Sequence, residues 1–108
     1  SGPVAAVESI VFIDMRKACD CTTKRTRGSW AKLMKATEGL DIPIQRIHMD
    51  EDDEEASRYS DMKPYVAIPA VYFLDGEGDL VGMLQGEITQ SQFENVISGA
   101  TPSSPPAR

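Results

Sequence analysis

Apolar and polar positions alternate along this chain with two different periods, and the switches between them mark the elements. Glu8 to Met15, "ESIVFIDM", is an apolar run rich in β-branched residues and predicts a buried strand. A polar loop follows. Trp30, Leu33, Met34 and Thr37 then fall at i, i+3, i+4 and i+7, one face of a helix. Gly39 suits its end, and Gly28, a poor interior helix residue, predicts a kink or irregular turn nearby. Ile42 to Met49, "IPIQRIHM", predicts a second strand with Pro43 near its start. The acids of Asp50 to Glu55 are expected to cap and fill the first turn of a short helix reaching about Met62, where negative charge meets the positive helix end.

Ala70 to Leu74 and Leu80 to Leu84 flank "DGEGD", a Gly-containing loop of hairpin length. Thr89 with Gln92 forms a capping box ahead of Phe93, Val96 and Ile97, the apolar face of a closing helix. The order is β-α-β-α-β-β-α. A helix joins the first two strands, so they should lie parallel with a right-handed crossover. The hairpin should add an antiparallel pair. The expectation is one α/β domain over residues 8–98, a mixed four-stranded sheet flanked by helices.

With 108 residues the chain suits a single core. Residues 1–7 read as a lead-in, opening on Ser1-Gly2, a pair that reads as a cloning remnant. Residues 99–108, rich in Pro, Ser and Ala, read as a disordered tail. Both ends are compatible with a domain cut from a longer or membrane-anchored parent. Acids outnumber bases 17 to 11, for a net charge of −6, which argues against nucleic acid as a partner. No apolar run is long enough to cross a bilayer. The acidic run is expected to be a solvated face rather than a metal site, because it lacks the glycine of a calcium loop.

The chemistry concentrates in "KACDCTTKR", Lys17 to Arg25, which holds both cysteines. A thiolate is the reactive form of cysteine, and helix N-termini and nearby cations stabilise it. Cys19 and Cys21 precede a helix, and Arg16, Lys17, Lys24, Arg25 and Arg27 surround them against the single acid Asp20. The cluster should favour thiolate and attract anionic partners, with Asp20 opposing. Buried, inert cysteines are the blander alternative, which a polar, charge-dense loop disfavours. A Cys-x-Cys pair also suits a soft ion such as Cu(I), though two ligands are too few for closed structural zinc. His48, the one histidine, lies in a strand far along the chain and reads as a strand-end side chain, so no nucleophile–histidine pair is evident. The five methionines occupy mostly core-like positions.

The element order, with cysteines after the first strand, resembles the thioredoxin family. "AIPAVYFLDGEGDLVG" resembles the stretch in which that family's cis-proline precedes a buried strand and hairpin, with Pro69 at the matching position. Gly86 stands where the family has a glycine before its last helix, and Gly28 lies near the place of its helix kink. The family's extra N-terminal strand and helix have no counterpart, so the resemblance implies a minimal thioredoxin-like fold. The motif departs from the family's Cys-x-x-Cys: here Ala18-Cys19-Asp20-Cys21 is one residue shorter, without the usual Trp and Pro.

The resemblance implies a protein thiol–disulfide oxidoreductase or isomerase without a cofactor or metal, acting as a monomer on protein thiols and disulfides. Cys19 would be the nucleophile and Cys21 the resolving thiol. Pro69 would border the site, and the Ile68 backbone would pair with an extended substrate, with Lys17, Ala18 and Asp20 around it. Asp14, at the end of the first strand, would match the family's buried proton-moving carboxylate, or else be a polar strand end. The alternatives are a Cu(I)-type carrier and a non-catalytic binding module using the groove beside Pro69. The cytoplasm and a bacterial periplasm both accommodate such a pair.

A disulfide between residues i and i+2 closes a small ring that strains its dihedral, and strain makes the bond easier to reduce. Equilibration against a glutathione buffer should therefore give a potential more oxidising than thioredoxin's, about −270 mV. A potential as low as that would contradict the expectation.

Overall fold

The computed structural model describes residues 7–98; the expected lead-in, apart from Val7, and the expected tail lie outside the described residues. The elements are β1 (Ser9–Asp14), α1 (Asp20–Ala36), β2 (Ile44–His48), α2 (Asp53–Met62), β3 (Ala70–Leu74), β4 (Leu80–Gln85) and α3 (Gln90–Ser98). The sheet order is β2-β1-β3-β4. β1 pairs parallel with β2, as a helical crossover requires, and antiparallel with β3, which pairs antiparallel with β4.

Successive strand residues point to opposite faces, and β1 shows the consequence. Ile10 and Phe12 join Val7, Leu33, Val71, Phe73, Ile88 and Phe93 in a core under α1 and α3. Val11 and Ile13 join Ile47, Ala56, Tyr59, Ala70, Tyr72 and Leu74 in a second core under α2. Both faces of the sheet are covered, so β1 and β3 read as continuous apolar runs rather than alternating ones.

α1 buries Thr26, Ser29 and Leu33, and Trp30 meets Phe12 edge to face at 5.0 Å. Where a kink or irregular turn was expected, α1 runs through Gly28 without a break, from Asp20 to Ala36. Gly28 lies on the exposed side, so the core face passes it without a gap, and the loss of about 1 kcal/mol relative to alanine is absorbed. The helix stops before Gly39, whose φ of +80° is left-handed. α2 begins at Asp53, later than the acidic run suggested. Asp50 and Glu51 form a turn instead, and the side chain of the N-cap Asp52 makes no capping bond. At its other end, the Tyr72 hydroxyl donates to the Lys63 carbonyl. Burial, then Tyr65, pushes that phenol up to about 12, so it stays a donor.

The hairpin turn is organised by Asp75, whose Oδ1 accepts from the N–H groups of Glu77 and Asp79, both at 2.9 Å. The capping box forms reciprocally: Gln92 N–H donates to Thr89 Oγ1 at 3.1 Å, and Thr89 N–H donates to Gln92 Oε1 at 2.8 Å.

Leu33→Ala should lower stability by about 2–5 kcal/mol, because Leu33 is wholly buried between α1 and the sheet. Leu40→Ala, at a position 49% exposed, should stay within about 0.5 kcal/mol. Urea unfolding of both variants checks the contrast.

Candidate functional site at the cysteine loop

β1 ends at Asp14, and the chain must turn from the end of this interior strand into α1 within a few residues. Residues 16 and 17 are held from outside their own segment. The Asp50 carboxylate accepts the Arg16 N–H at Oδ1 and the Lys17 N–H at Oδ2, each at 3.0 Å. Those two donors, Arg16 first, hold the Asp50 carboxyl below the usual carboxylate range. Arg16 also pairs with Glu51 at 2.8 Å on the open surface, where such a pair adds about 0–1 kcal/mol. Part of the acidic run is thus a clamp on the cysteine loop. Sequence reading assigned it wholly to α2.

Cys19 is the N-cap of α1 and Cys21 lies in its first turn. Both are free and exposed, with sulfurs 3.0 Å apart. The Cys19 thiol donates to Thr22 Oγ1 at 3.2 Å; once ionised it accepts from that hydroxyl instead. The Thr22 hydroxyl, then the Cys21 thiol, then the Thr22 backbone N–H stabilise the thiolate. They bring Cys19 from 9.0 to about 7. The backbone N–H groups add to the effect although none makes a capping hydrogen bond of standard geometry to the sulfur. The surrounding cations and Asp20, expected to compete, are not what moves this thiol; adjacent hydrogen bonds are. Thr22, three residues after the cap, occupies the position where capping side chains meet, a cue that was legible in the sequence.

The second wall is the segment before β3. The Ile68–Pro69 bond is cis and Pro69 is buried. Gln85 Oε1 accepts from the Val66 and Ala67 N–H groups at 2.7 and 3.1 Å, and Gly86 N–H donates to the Pro69 carbonyl at 2.8 Å. Gly86 has a φ of +76°, and a Cβ there would come within 3.3 Å of the Ala67 Cβ. Between this segment and the cysteine loop lies a cavity of about 450 Å³ lined by Met15, Lys17, Ala18, Cys19, Val66 and Ile68, among others. Lys17, Ala18, Cys19 and Ile68 are therefore brought together.

Two further positions bear on the expected site. The Ile68 backbone, expected to pair with an extended substrate segment, has its carbonyl bonded within the chain: Arg25 Nε and Nη2 donate to it at 2.9 and 2.6 Å. Asp14, matched by the resemblance to a buried carboxylate or else a polar strand end, is 1% exposed, and among the described residues it makes no hydrogen bond to either thiol. Its Oδ2 accepts from Arg46 Nε and Nη2 at 2.9 and 2.7 Å, and its Oδ1 lies 2.5 Å from His48 Nδ1. The β1–β2 register, with Phe12 opposite Arg46 and Asp14 opposite His48, puts all three on the α1 side. Arg46 also covers Trp30 at 4.6 Å. Neither Asp14 nor Asp20 lines the cavity at Cys19.

No family model matches the sequence, and no curated protein sequence matches it. Solved structures do. A reduced thioredoxin pre-protein from Schistosoma mansoni superposes with a TM-score of 0.65 at 16% identity, covering 87% of this chain and 79% of that one. Thioredoxin 1 from Thermosipho africanus gives 0.61 at 21% identity, covering 83% and 90%. The fold is thioredoxin-like, with the strand order and mixed sheet of that architecture.

The rate of Cys19 alkylation should rise with pH and level off above about 7. Thr22→Val removes the largest stabilising contact, so the midpoint should move up. The rate at pH 7 should then fall roughly two- to fivefold, part of the lost thiolate being offset by higher intrinsic nucleophilicity. An unchanged midpoint in iodoacetamide kinetics would contradict the role given to Thr22.

Proposed function

We propose that this thioredoxin-fold chain is a protein thiol–disulfide oxidoreductase or isomerase working through Cys19 and Cys21. One observation carries the reading: an exposed thiol poised near pH 7 sits 3.0 Å from a second thiol and opens onto a cavity walled by the Ile68 segment. Inert cysteines have no use for that combination of exposure, proximity and thiolate stabilisation.

The steps follow from thiol chemistry. The Cys19 thiolate attacks one sulfur of a partner disulfide. The partner's S–S bond breaks, a Cys19–partner bond forms, and the departing thiolate takes a proton. Cys21, after losing its proton to solvent, attacks Cys19. The mixed disulfide breaks, the Cys19–Cys21 bond forms, and the partner leaves as a dithiol, two electrons richer. Isomerisation is the same first step with a different partner thiol completing the exchange.

The walls take distinct roles. Asp50 and Gln85 hold the two loops that flank the nucleophile, so Cys19 meets a preformed surface. Val66, 93% exposed at the rim, and Met15 and Ala18 offer apolar contact to a polypeptide. Pro69 supports this wall from beneath. Asp14 is a positioning residue here: with Arg46 and His48 it fixes the charged layer beneath the first turns of α1.

Cys21→Ser should accumulate mixed disulfides with partner proteins, because the resolving step is blocked, whereas Cys19→Ser should accumulate essentially none. Non-reducing gels with mass spectrometry read the difference. Equal trapping by both variants, or by neither, would count against the proposal. Stoichiometric Cu(I) uptake through both thiols without trapping would favour the carrier instead.

A further inference from the structure

The chain bends through residues 66–69, which wall the Cys19 cavity, and much of the main chain there is already engaged. Gln85 Oε1 accepts the Val66 and Ala67 N–H groups at 2.7 and 3.1 Å. Pro69 has no N–H, and its carbonyl accepts from Gly86 at 2.8 Å. Arg25 Nε and Nη2 both donate to the Ile68 carbonyl, at 2.9 and 2.6 Å. A carbonyl oxygen has two lone pairs, so this fork takes the whole acceptor. Helical spacing puts Arg25 there: it follows Thr22 by three residues in α1, and both line the cavity.

An unfolded segment joins such a wall through its main chain, which supplies affinity with little regard to sequence. At a bonded position of an antiparallel pair, a residue exchanges both its N–H and its C=O. With the Ile68 carbonyl taken, that exchange is broken. A folded surface differs: its main-chain groups are paired internally, and it offers side chains. The wall has little to give the first kind of partner and loses nothing against the second. What it presents is Val66, 93% exposed, with Met15 and Ala18 in the same lining.

We propose that Arg25 sets the partner class. By holding the Ile68 carbonyl it denies strand pairing to unfolded polypeptide, and Cys19 exchanges with disulfides on the surfaces of folded proteins. The inference rests on the thiol–disulfide reading above and narrows it toward native disulfides. The chemical step is unaltered. The Cys19 thiolate forms a bond to one sulfur of the partner's disulfide, that S–S bond breaks, and the other sulfur departs as thiolate and takes a proton. Arg25 is a positioning residue: it acts through the Ile68 carbonyl and takes no part in that step.

The test uses the Cys21→Ser chain, which stops at the mixed disulfide, and symmetric disulfides of neutral peptides. Neutral peptides keep the charges of Lys17 and Arg25 at the cavity out of the comparison. One peptide is unstructured. A second has the same sequence but is N-methylated on the residues flanking its cysteine, which removes those donors. A third is helical, with its main chain bonded internally. Each rate is divided by that of 2-hydroxyethyl disulfide on the same protein, which cancels any change in the thiol itself. With Arg25 in place, the plain and methylated peptides should agree within about twofold, less than one net hydrogen bond supplies. The helical peptide should react at least as fast as either. Arg25→Met should speed the plain peptide about fivefold, the effect of one net hydrogen bond, and leave the methylated and helical ones unchanged. Arg25→Lys, which keeps the charge and gives up the fork, should move the same way by a smaller factor. A preference of about fivefold for the plain over the methylated peptide with Arg25 in place, or equal acceleration of all three by Arg25→Met, would overturn this inference and leave the oxidoreductase reading standing. Failure of Cys19 to form a mixed disulfide with any of these disulfides would overturn both.

Discussion

β1 is buried on both faces and paired on both edges, and the geometry of the molecule follows from that. Its alternation sends Ile10 and Phe12 to the α1 and α3 core and Val11 and Ile13 to the α2 core. The same alternation leaves Asp14 on the α1 side, where the parallel register delivers Arg46 and His48 from β2. A one-residue slip in that pairing would turn every β2 side chain to the opposite face. It would place Ile47 under α1 and expose Arg46 and His48 to the α2 core. The hydrophobic demand of Ile44 and Ile47 on opposite faces therefore also brings Arg46 and His48 to the buried Asp14. The strand ends where α1 must start, so the cysteines emerge at a helix N-terminus as a result of the layer architecture.

The site itself is assembled by polar contacts between segments distant in sequence. Asp50 reaches back 33 and 34 residues to Lys17 and Arg16, and Arg25 reaches 43 residues forward to Ile68. Gln85 holds the Val66–Ala67 backbone. None of these three side chains is buried, so each contributes modestly to global stability. Their effect is to fix loops that few apolar contacts restrain. The reactivity of Cys19 is more local still. Hydrogen bonds from its own helical turn outweigh the diffuse field of five nearby cations, because exposed charges at a distance are screened by water and salt while a hydroxyl at 3.2 Å is not.

What was legible in the sequence follows the range of the interactions. All seven elements could be read, because periodicity, capping residues and hairpin loops are local; the Thr89–Gln92 box and the "DGEGD" turn are examples. The parallel β1–β2 pair was legible through the topological rule that a helix must intervene. The pairing register was not, so nothing in the sequence placed His48, read as a strand-end side chain, opposite Asp14 across the pair. Asp50 was hidden by its company: in a run of acids, nothing local separates a loop clamp from helix-start residues. Gly28 shows local propensity yielding to packing. Its propensity argues against a helix interior, but the burial of Thr26, Ser29 and Leu33 on the other side of α1 overrides a loss of about 1 kcal/mol.

Arg25 connects these observations to partner choice. As one of several cations near the thiols it had no individual meaning in the sequence. In the fold it closes the Ile68 carbonyl, and so removes one of the backbone groups that a substrate strand would otherwise use. In the proposed reading, a polypeptide at the Cys19 cavity would be held more through contacts with Met15, Ala18 and Val66 than through strand-like pairing. The same guanidinium also lines the cavity at Cys21, beside Lys24 and Lys32, so Arg25 stands where the surfaces at the two sulfurs meet.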